Sequence, residues 1–240
     1  MSALLSVAGV SKRFRGLVAV DRASFDVARG EIFAVIGPNG AGKTTLFSMI
    51  AGALKADEGE IAFQGERIDG LRPDEICRRG VARTFQIVRP FPALTVEDNV
   101  MIGALLRTSD TERARATAHD VLRQLDLFDK RTRIAKSLTL PDRKRLEVAR
   151  ALATSPQLLL LDEVMAGLRP TETDRIVAIL RDLNAQGLTI LLIEHVMRAV
   201  MALANRVLVL HHGAPIALGA PADVVREPAV ISSYLGAEAL

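Results

Sequence analysis

A glycine-rich segment followed by lysine and threonine is the part of this chain whose residue types and spacing point most directly to chemistry. Residues 37–45 are GPNGAGKTT, which fits the phosphate-binding pattern G-x-x-x-x-G-K-[ST]. The glycines let the backbone curl so that successive N–H groups point at a phosphate chain. Lys43 can reach the outer phosphates, and the Thr44 hydroxyl can bind Mg²⁺. A predicted strand over 32–36 and a predicted helix from Leu46 flank the segment, which argues against a chance glycine turn before a lysine.

Two acidic residues and a histidine follow predicted buried strands. Asp162 and Glu163 come directly after four leucines, and His195 lies two residues beyond the apolar run 189–193. In open α/β sheets, ligands bind at the carboxyl ends of the strands. Asp162 is then placed to hold Mg²⁺, and Glu163 to orient or activate the water that attacks a γ-phosphate. His195 can contact the γ-phosphate and that water, although a lone histidine is more often structural.

Phe14 lies among basic residues in a predicted turn over 11–16, in a chain with only 4% aromatic residues. Its position supports two interpretations about equally: stacking on a purine base, or ordinary core packing. The histidines at 119, 211 and 212 have no comparable placement and are predicted to be surface or turn residues. No Cys/His cluster has the spacing of a zinc site.

The composition is that of a globular protein. The chain has 240 residues, 49% hydrophobic and 25% charged, with a net charge of +3. No block of like charges is long enough to be a nucleic-acid-binding tail. The single cysteine, Cys77, excludes an intrachain disulfide and fits a reducing cytoplasmic compartment. No signal peptide is recognisable, and no apolar run approaches the roughly 20 residues that span a bilayer. If the protein acts at a membrane, other chains must span it.

Apolar periodicity predicts strands that alternate with helices, and therefore an α/β fold with a mostly parallel sheet covered on both faces. Strands are predicted at 4–10, 18–20, 24–27, 31–36, 59–63, 82–86, 157–161, 189–193, 206–210 and 214–218. Helices are predicted from Leu46 and at 74–79, 96–127 with a break near 108–111, 137–154, 172–184 and 197–204, before a short amphipathic tail. The helical block interrupts the alternation. We therefore predict a nucleotide-binding core over 1–86 and 157–240, and an inserted helical subdomain over 87–156.

Taken together, these residues resemble the ATP-binding subunit of ATP-binding cassette (ABC) transporters over nearly the whole chain. The resemblance implies a P-loop NTPase fold with an N-terminal antiparallel β subdomain, an ATP hydrolase activity, and ATP and Mg²⁺ as ligands. It gives catalytic roles to Glu163, His195 and Lys43, and Mg²⁺-binding roles to Thr44, Gln86 and Asp162. The nucleotide-binding residues that it implies are Phe14, Gly37, Asn39, Gly40, Ala41, Gly42, Lys43, Thr44, Thr45, Gln86 and Thr139.

Finer features are similar to the ATP-binding subunits of branched-chain amino acid importers. They lie at 83–86, 91–96, 193–195 and 234–236. Related subunits serve urea or short amides, and the ATPase of the lipopolysaccharide exporter is a more distant relative. The resemblance implies two transmembrane permease chains, a second ATP-binding subunit, an indirect solute-binding partner, no nucleic acid, and a peripheral location on the cytoplasmic face of the inner membrane. A soluble ABC ATPase and an idle regulatory subunit are the rival interpretations, but the chain lacks the second cassette or coiled-coil insertion usual in the soluble class.

The sequence departs from the family pattern at the signature motif. Where the family has L-S-G-G-Q, this chain has LTLPD at 138–142. Pro141 has no N–H to offer a partner's γ-phosphate, and Asp142 adds a negative charge at the same helix terminus. Arg169 and Val164 are also unusual for their positions. These departures suggest a heterodimer with one competent ATP site, although a tolerated variant of the helix start is an equal alternative.

Overall fold

The computed structural model describes residues 3–84 and 90–235, which form two β-sheets and the helices that pack on them. The strands are β1 (Ala3–Phe14), β2 (Leu17–Ala28), β3 (Ile32–Ile36), β4 (Glu58–Phe63), β5 (Glu66–Arg67), β6 (Val81–Arg83), β7 (Leu158–Asp162), β8 (Thr189–Ile193), β9 (Arg206–His211) and β10 (Ala214–Gly219). The helices are α1 (Lys43–Ile50), α2 (Pro73–Arg79), α3 (Val96–Ala104), α4 (Thr111–Gln124), α5 (Leu140–Leu152), α6 (Pro170–Ala185), α7 (Met197–Leu203), α8 (Pro221–Val224) and α9 (Pro228–Leu235).

The larger sheet has the strand order β10-β9-β3-β8-β7-β6 and is parallel except for β10, which pairs antiparallel with β9. Its central strands are continuous apolar runs because helices or a second sheet cover both faces. Along β3, Ile32, Ala34 and Ile36 face one hydrophobic core, while Phe33 and Val35 face the other. The prediction of a mostly parallel, doubly covered sheet is confirmed.

The smaller sheet is antiparallel, with the order β2-β1-β4-β5, and packs over the core that contains α1. This confirms the predicted N-terminal β subdomain but corrects two of its details. The two short strands predicted at 18–20 and 24–27 are one strand, β2, in which Arg22 takes a left-handed conformation (φ 46°). The turn predicted over 11–16 is also wrong in extent, because β1 continues to Phe14 and only Arg15 and Gly16 turn.

The helical block contains α3, α4 and α5. Thr95 begins α3 by accepting a hydrogen bond from the Asp98 N–H (3.0 Å), and Asp110 caps α4 in the same way through the N–H of Glu112 (2.9 Å). The predicted break near 108–111 is confirmed, since α3 ends at Ala104 and α4 begins at Thr111. The domain boundaries at 87 and 156 stay a prediction. Among the described residues, no helix is both long and apolar enough to cross a bilayer.

Candidate nucleotide-binding site

The glycine-rich loop joins the end of β3 to the start of α1, as its sequence predicts. Gly37, Gly40 and Gly42 all have positive φ angles, of 149°, 80° and 99°. A side chain at Gly42 would also collide with the carbonyl oxygen of Ala19, so only glycine fits there. The loop residues and the N-terminus of α1 line a common cavity, which is a place where phosphates bind, although the N–H of Ala41 donates to the Pro38 carbonyl (3.2 Å).

The amino group of Lys43 lies inside this loop. It donates hydrogen bonds to the carbonyl oxygens of Gly37 (2.8 Å) and Pro38 (3.0 Å). Burial lowers its pKa below the usual value, while the charges of Glu163 and Asp162 oppose that shift. The cation is thus held at the loop by carbonyl oxygens and by two nearby acids.

A cavity of about 590 Å³ opens over the loop. Loop residues 39–45 and Glu163 form one part of its lining, and the rest consists of Phe14, Leu17, Val18, Ala19 and His212. The Phe14 side chain is 42% exposed, which rules out the core-packing interpretation. The Lys12 ammonium lies 5.6 Å from the centre of its ring. The cavity thus has a polar, phosphate-suited wall and an apolar wall with an accessible ring.

Asp162 ends β7 with a carboxyl group that is almost fully buried, at 1% exposure. One oxygen, Oδ2, accepts a hydrogen bond from the Arg83 guanidinium (2.9 Å), which also donates to the Ser48 hydroxyl (3.1 Å). The other oxygen, Oδ1, has no hydrogen-bond partner within residues 3–84 and 90–235. A buried, unpartnered carboxylate oxygen is costly unless a ligand satisfies it.

This oxygen fits Mg²⁺, which prefers oxygen ligands. Thr44, which lines the cavity, offers a hydroxyl oxygen as a second possible ligand. In the described part of the chain, no group of three or more His, Cys, Asp or Glu side chains is arranged to hold a metal by itself. Such an ion would therefore depend on phosphate oxygens and water for the rest of its coordination. Gln86, the third residue expected to bind Mg²⁺, lies outside the described residues.

Glu163 and His195 are brought together by the adjacent parallel strands β7 and β8. The Glu163 Oε1 and His195 Nδ1 atoms are 3.9 Å apart, and the His195 side chain is 56% exposed. Glu163 has a left-handed backbone (φ 49°), its N–H donates to the Ile193 carbonyl (3.0 Å), and its own carbonyl accepts from the Lys144 ammonium (2.9 Å). An accessible imidazole beside a carboxylate at a sheet edge is the arrangement that the sequence predicted.

Sequence reasoning missed Glu194, the residue before His195. Its carboxyl group is 1% exposed, and its Oε1 accepts the Met165 N–H (2.9 Å). Burial raises the pKa of Glu194 to about 7; the Met165 N–H and the Lys144 ammonium oppose this rise, and the Glu163 charge adds to it. Burial cannot be read from the residue type, so the position at a strand end was the only signal available.

The N-terminus of α5 differs from the phosphate loop in having its polar groups engaged within the chain. Asp142 is buried, and its two carboxylate oxygens accept from the Arg145 guanidinium and the Lys130 ammonium, both at 2.5 Å. Burial raises the Asp142 pKa, but hydrogen bonds from Lys130, Thr139 and Arg145 outweigh it and lower the pKa below the usual value. The negative charge expected at this terminus is therefore neutralised locally, and the Thr139 hydroxyl is directed to Asp142.

Comparisons with known proteins agree with this geometry. A family model described as ABC transporter matches residues 20–166. The chain is 41% identical to the high-affinity branched-chain amino acid transport ATP-binding protein LivG of Escherichia coli K12, over 97% of this chain and 98% of LivG. It is 37% identical to the lipopolysaccharide export system ATP-binding protein LptB of Acidithiobacillus ferridurans, over 98% of both chains.

A solved structure has the same fold over nearly its whole length. The ADP conformation of MJ1267, an ATP-binding cassette of an ABC transporter, superposes with a TM-score of 0.90 at 31% identity. The match covers 98% of this chain and 100% of that one. The fold predicted from the sequence is thereby confirmed.

Proposed function

Because this chain belongs to the family of ABC transporter ATP-binding proteins, we propose that it is the ATP-hydrolysing subunit of an importer for branched-chain or other amino acids. One arrangement supports the hydrolytic role: Glu163 lines the cavity over the phosphate loop and lies 3.9 Å from His195. The likeness to LivG, whose name describes branched-chain amino acid transport, supports the cargo class.

ATP binding in this proposal uses both walls of the cavity. The adenine lies against the exposed ring of Phe14, and the phosphates lie in the loop between Gly37 and Thr45. Lys43 moves from its carbonyl partners to the outer phosphate oxygens. Asn39, Gly40, Ala41 and Gly42 contribute loop N–H groups.

Hydrolysis in this proposal takes place at the sheet edge. Thr44, Asp162 and Gln86 would hold Mg²⁺, which supplies positive charge to the phosphates. Glu163 orients a water molecule toward the γ-phosphate and accepts its proton; as the water oxygen bonds to the γ-phosphorus, the bond from that phosphorus to the bridging oxygen breaks, and ADP and inorganic phosphate leave. The exposed imidazole of His195 donates a hydrogen bond to the γ-phosphate. Its contact with Glu163 therefore depends on whether that phosphate is bound.

The proposed membrane partners are two permease chains, served by a solute-binding protein on the far side of the membrane. A cleft of about 430 Å³ between α2, α3 and α5 supports a protein contact on this face. Its lining includes Cys77, Ile102 and Leu106, and the Ile102 side chain is 43% exposed. With permeases docked there, the chain lies on the cytoplasmic face of the inner membrane without spanning it.

The signature terminus supports pairing with a second, different ATP-binding subunit. In ABC dimers each ATP lies between one chain's phosphate loop and the other chain's signature. Here Pro141 lacks an N–H, and the Thr139 hydroxyl and the Asp142 charge are engaged within the chain. We therefore propose one competent site, formed by this chain's loop and a partner's ordinary signature. A homodimer with a tolerated variant helix start is the alternative.

Paired glutamate-to-glutamine variants in the assembled transporter test the asymmetry. Glu163→Gln is expected to stop ATP turnover, whereas the same change at the partner's corresponding glutamate leaves much of it. Equal and complete loss from both variants would show that the two sites work alike, and the asymmetric proposal would be wrong.

Co-purification from detergent-solubilised membranes, followed by reconstitution into vesicles, tests the transport function. We expect permease chains to co-purify and ATP-dependent uptake of leucine, isoleucine or valine that Lys43→Ala abolishes. Urea, short amides and lipopolysaccharide are the competing cargoes, and transport of one of these alone would reassign the substrate. Absence of permeases would favour a soluble ATPase, and turnover insensitive to Lys43→Ala would favour an idle regulatory subunit.

A further inference from the structure

Glu194 is a buried carboxyl group at the site that the mechanism above does not use. It lies between β8 and His195, with only 1% of its surface exposed. Acidic side chains are almost never fully buried unless a partner requires them. Its Oε1 accepts the backbone N–H of Met165, which lies 29 residues earlier in the chain, and its Oε2 has no hydrogen-bond partner among the described residues.

Two hydrogen bonds fasten the turn that carries Glu163 to the end of β8. The Glu163 N–H donates to the Ile193 carbonyl (3.0 Å), and the Met165 N–H donates to the Glu194 carboxyl (2.9 Å). The first continues the backbone pairing of β7 with β8, in which Asp162 lies opposite Ile193. The second needs a side chain, because the regular pairing of the two strands ends there.

The fastening matters because the backbone of Glu163 is strained. Glu163 is a non-glycine residue in the left-handed region (φ 49°), and such a conformation persists only when its surroundings hold it. The Lys144 ammonium holds the Glu163 carbonyl on one side (2.9 Å), and Glu194 holds the amide two residues later. The direction of the Glu163 side chain depends on both.

We propose that Glu194 is a positioning residue for ATP hydrolysis: its carboxyl group holds the Met165 amide, so that the 163–165 turn keeps the Glu163 carboxylate beside His195. The same residue directly precedes His195, so it connects the 163–165 turn to the histidine. This role concerns neither ATP binding nor the cargo. It rests on the proposed function in one respect, that this site hydrolyses ATP.

Two substitutions at Glu194 and one elsewhere separate positioning from general stability. Glu194→Met keeps the volume but removes the hydrogen-bond acceptor, whereas Glu194→Gln keeps an acceptor oxygen. Glu31→Met is the control, because Glu31 is also buried and accepts a backbone N–H, that of Ala28 (2.7 Å), at the opposite end of the sheet; it also removes the ion pair of Glu31 with Arg206 (2.6 Å), so its cost in stability is an upper comparison. Glu194→Leu, which also removes the acceptor, replaces Glu194→Met if the latter does not fold.

The variants are assayed in an assembly in which the wild-type chain hydrolyses ATP. That assembly is either the full chain alone or the chain co-purified with its permeases. The measurements are kcat for ATP hydrolysis, the Kd of a fluorescent ATP analogue, and the melting temperature. We expect Glu194→Met to lower kcat by about tenfold or more, because a small displacement of a catalytic group is costly. Its Kd should match the wild type, Glu194→Gln should restore kcat, and Glu31→Met should lower only the melting temperature.

Three results would overturn the proposal. A wild-type kcat in Glu194→Met would show that the carboxyl group only supports the fold. Equal losses of kcat in Glu194→Gln and Glu194→Met would show that the acceptor is not the property that matters. A weakened Kd that accounts for the loss of activity would place the effect on nucleotide binding.

Discussion

Asp162 at the edge of the larger sheet and Asp142 at the start of α5 are both buried acids, but their surroundings are opposite. Asp162 uses one oxygen for Arg83 and keeps Oδ1 without a partner among the described residues. Asp142 gives both oxygens to cations of its own chain. A buried polar group that the fold leaves unsatisfied is available to a ligand, and one that the fold satisfies contributes to structure. Two acids of the same type therefore have different roles because of what packs around them.

The largest expected effect comes from removing the proposed base, Glu163, which follows Asp162 at the carboxyl end of β7. Glu163→Gln keeps the shape of the side chain but removes the base, so turnover should fall by roughly 10²–10⁴-fold. Nucleotide binding should persist, because the phosphate loop is untouched. Steady-state ATP hydrolysis and titration with a fluorescent ATP analogue measure the two effects. Asp174→Asn, which changes an exposed ion pair with Arg198, is the control and should leave both unchanged.

Turnover in Glu163→Gln above a tenth of the wild-type rate would contradict the role given to Glu163. It would also weaken the contrast between Asp162 and Asp142, because the carboxyl end of β7 would then hold no essential base.

Asp142→Ala tests the structural half of the comparison. Removing the carboxylate leaves the buried Arg145 without its closest anion, and breaking such a pair costs about 3 kcal/mol. We expect the free energy of unfolding, measured by urea denaturation, to fall by that amount. Asp120→Ala removes an exposed pair with Arg123 and should cost less than about 1 kcal/mol. Equal, small losses in the two variants would show that the Asp142 cluster does not stabilise the chain.

Glu194→Gln extends the comparison to a third buried acid, through the pH dependence of the free energy of unfolding. The Glu194 pKa is about 7 in the folded chain and near its usual 4.5 when unfolded, so the folded state holds the extra proton between these values. The wild type therefore loses stability from this group as pH rises from 4.5 to about 7. Glutamine stays neutral, so the stability of Glu194→Gln relative to wild type should rise over that window, by on the order of 2–3 kcal/mol.

Chemical denaturation at pH 5 and pH 8 measures this difference, and the other titrating groups cancel between the two proteins. Parallel stability curves would show that the Glu194 carboxyl group ionises as it does in water.

The smallest expected effect is on the apolar wall of the cavity. Phe14→Ala should weaken nucleotide binding by about 1 kcal/mol, or roughly fivefold, because the stacking surface for the base is lost. At saturating ATP the turnover should remain. Phe91→Ala is a matched control, since Phe91 is equally exposed but lines none of the phosphate-loop cavity. If both variants bind nucleotide like the wild type, Phe14 has no part in the site.

Much of the site could be predicted because its groups belong to short motifs at the ends of apolar runs. The phosphate loop and the acids after β7 are contiguous segments whose spacing carries the chemistry. His195 was harder, since only its place after a predicted strand suggested that it shares an edge with Glu163. The predicted turn at 11–16 was wrong in extent, because Lys12 and Arg13, basic residues that favour a loop by type, continue β1 to Phe14.

Other groups could not be predicted because their roles come from contacts between distant segments. Arg83 meets Asp162 across 79 positions, and His212, which is a turn residue as predicted, also lines the cavity over the phosphate loop. Lys144 reaches the Glu163 carbonyl from α5. Nothing in the local sequence of these residues indicates which partner the fold brings to them.

The parallel sheet and the phosphate loop follow from the amino-acid sequence alone, because alternating apolar runs and glycine spacing encode them locally. The family follows from the resemblance of the motifs to those of ABC ATP-binding subunits. The folded structure is needed to see that Asp142 is paired with cations of its own chain, whereas the buried Oδ1 of Asp162 has no partner among residues 3–84 and 90–235. That Glu194 is buried and accepts the Met165 N–H is likewise visible only in the folded structure. The physical reason is the same in each case: burial and the placement of partners set the energy of a charged group, and packing across the whole chain sets both.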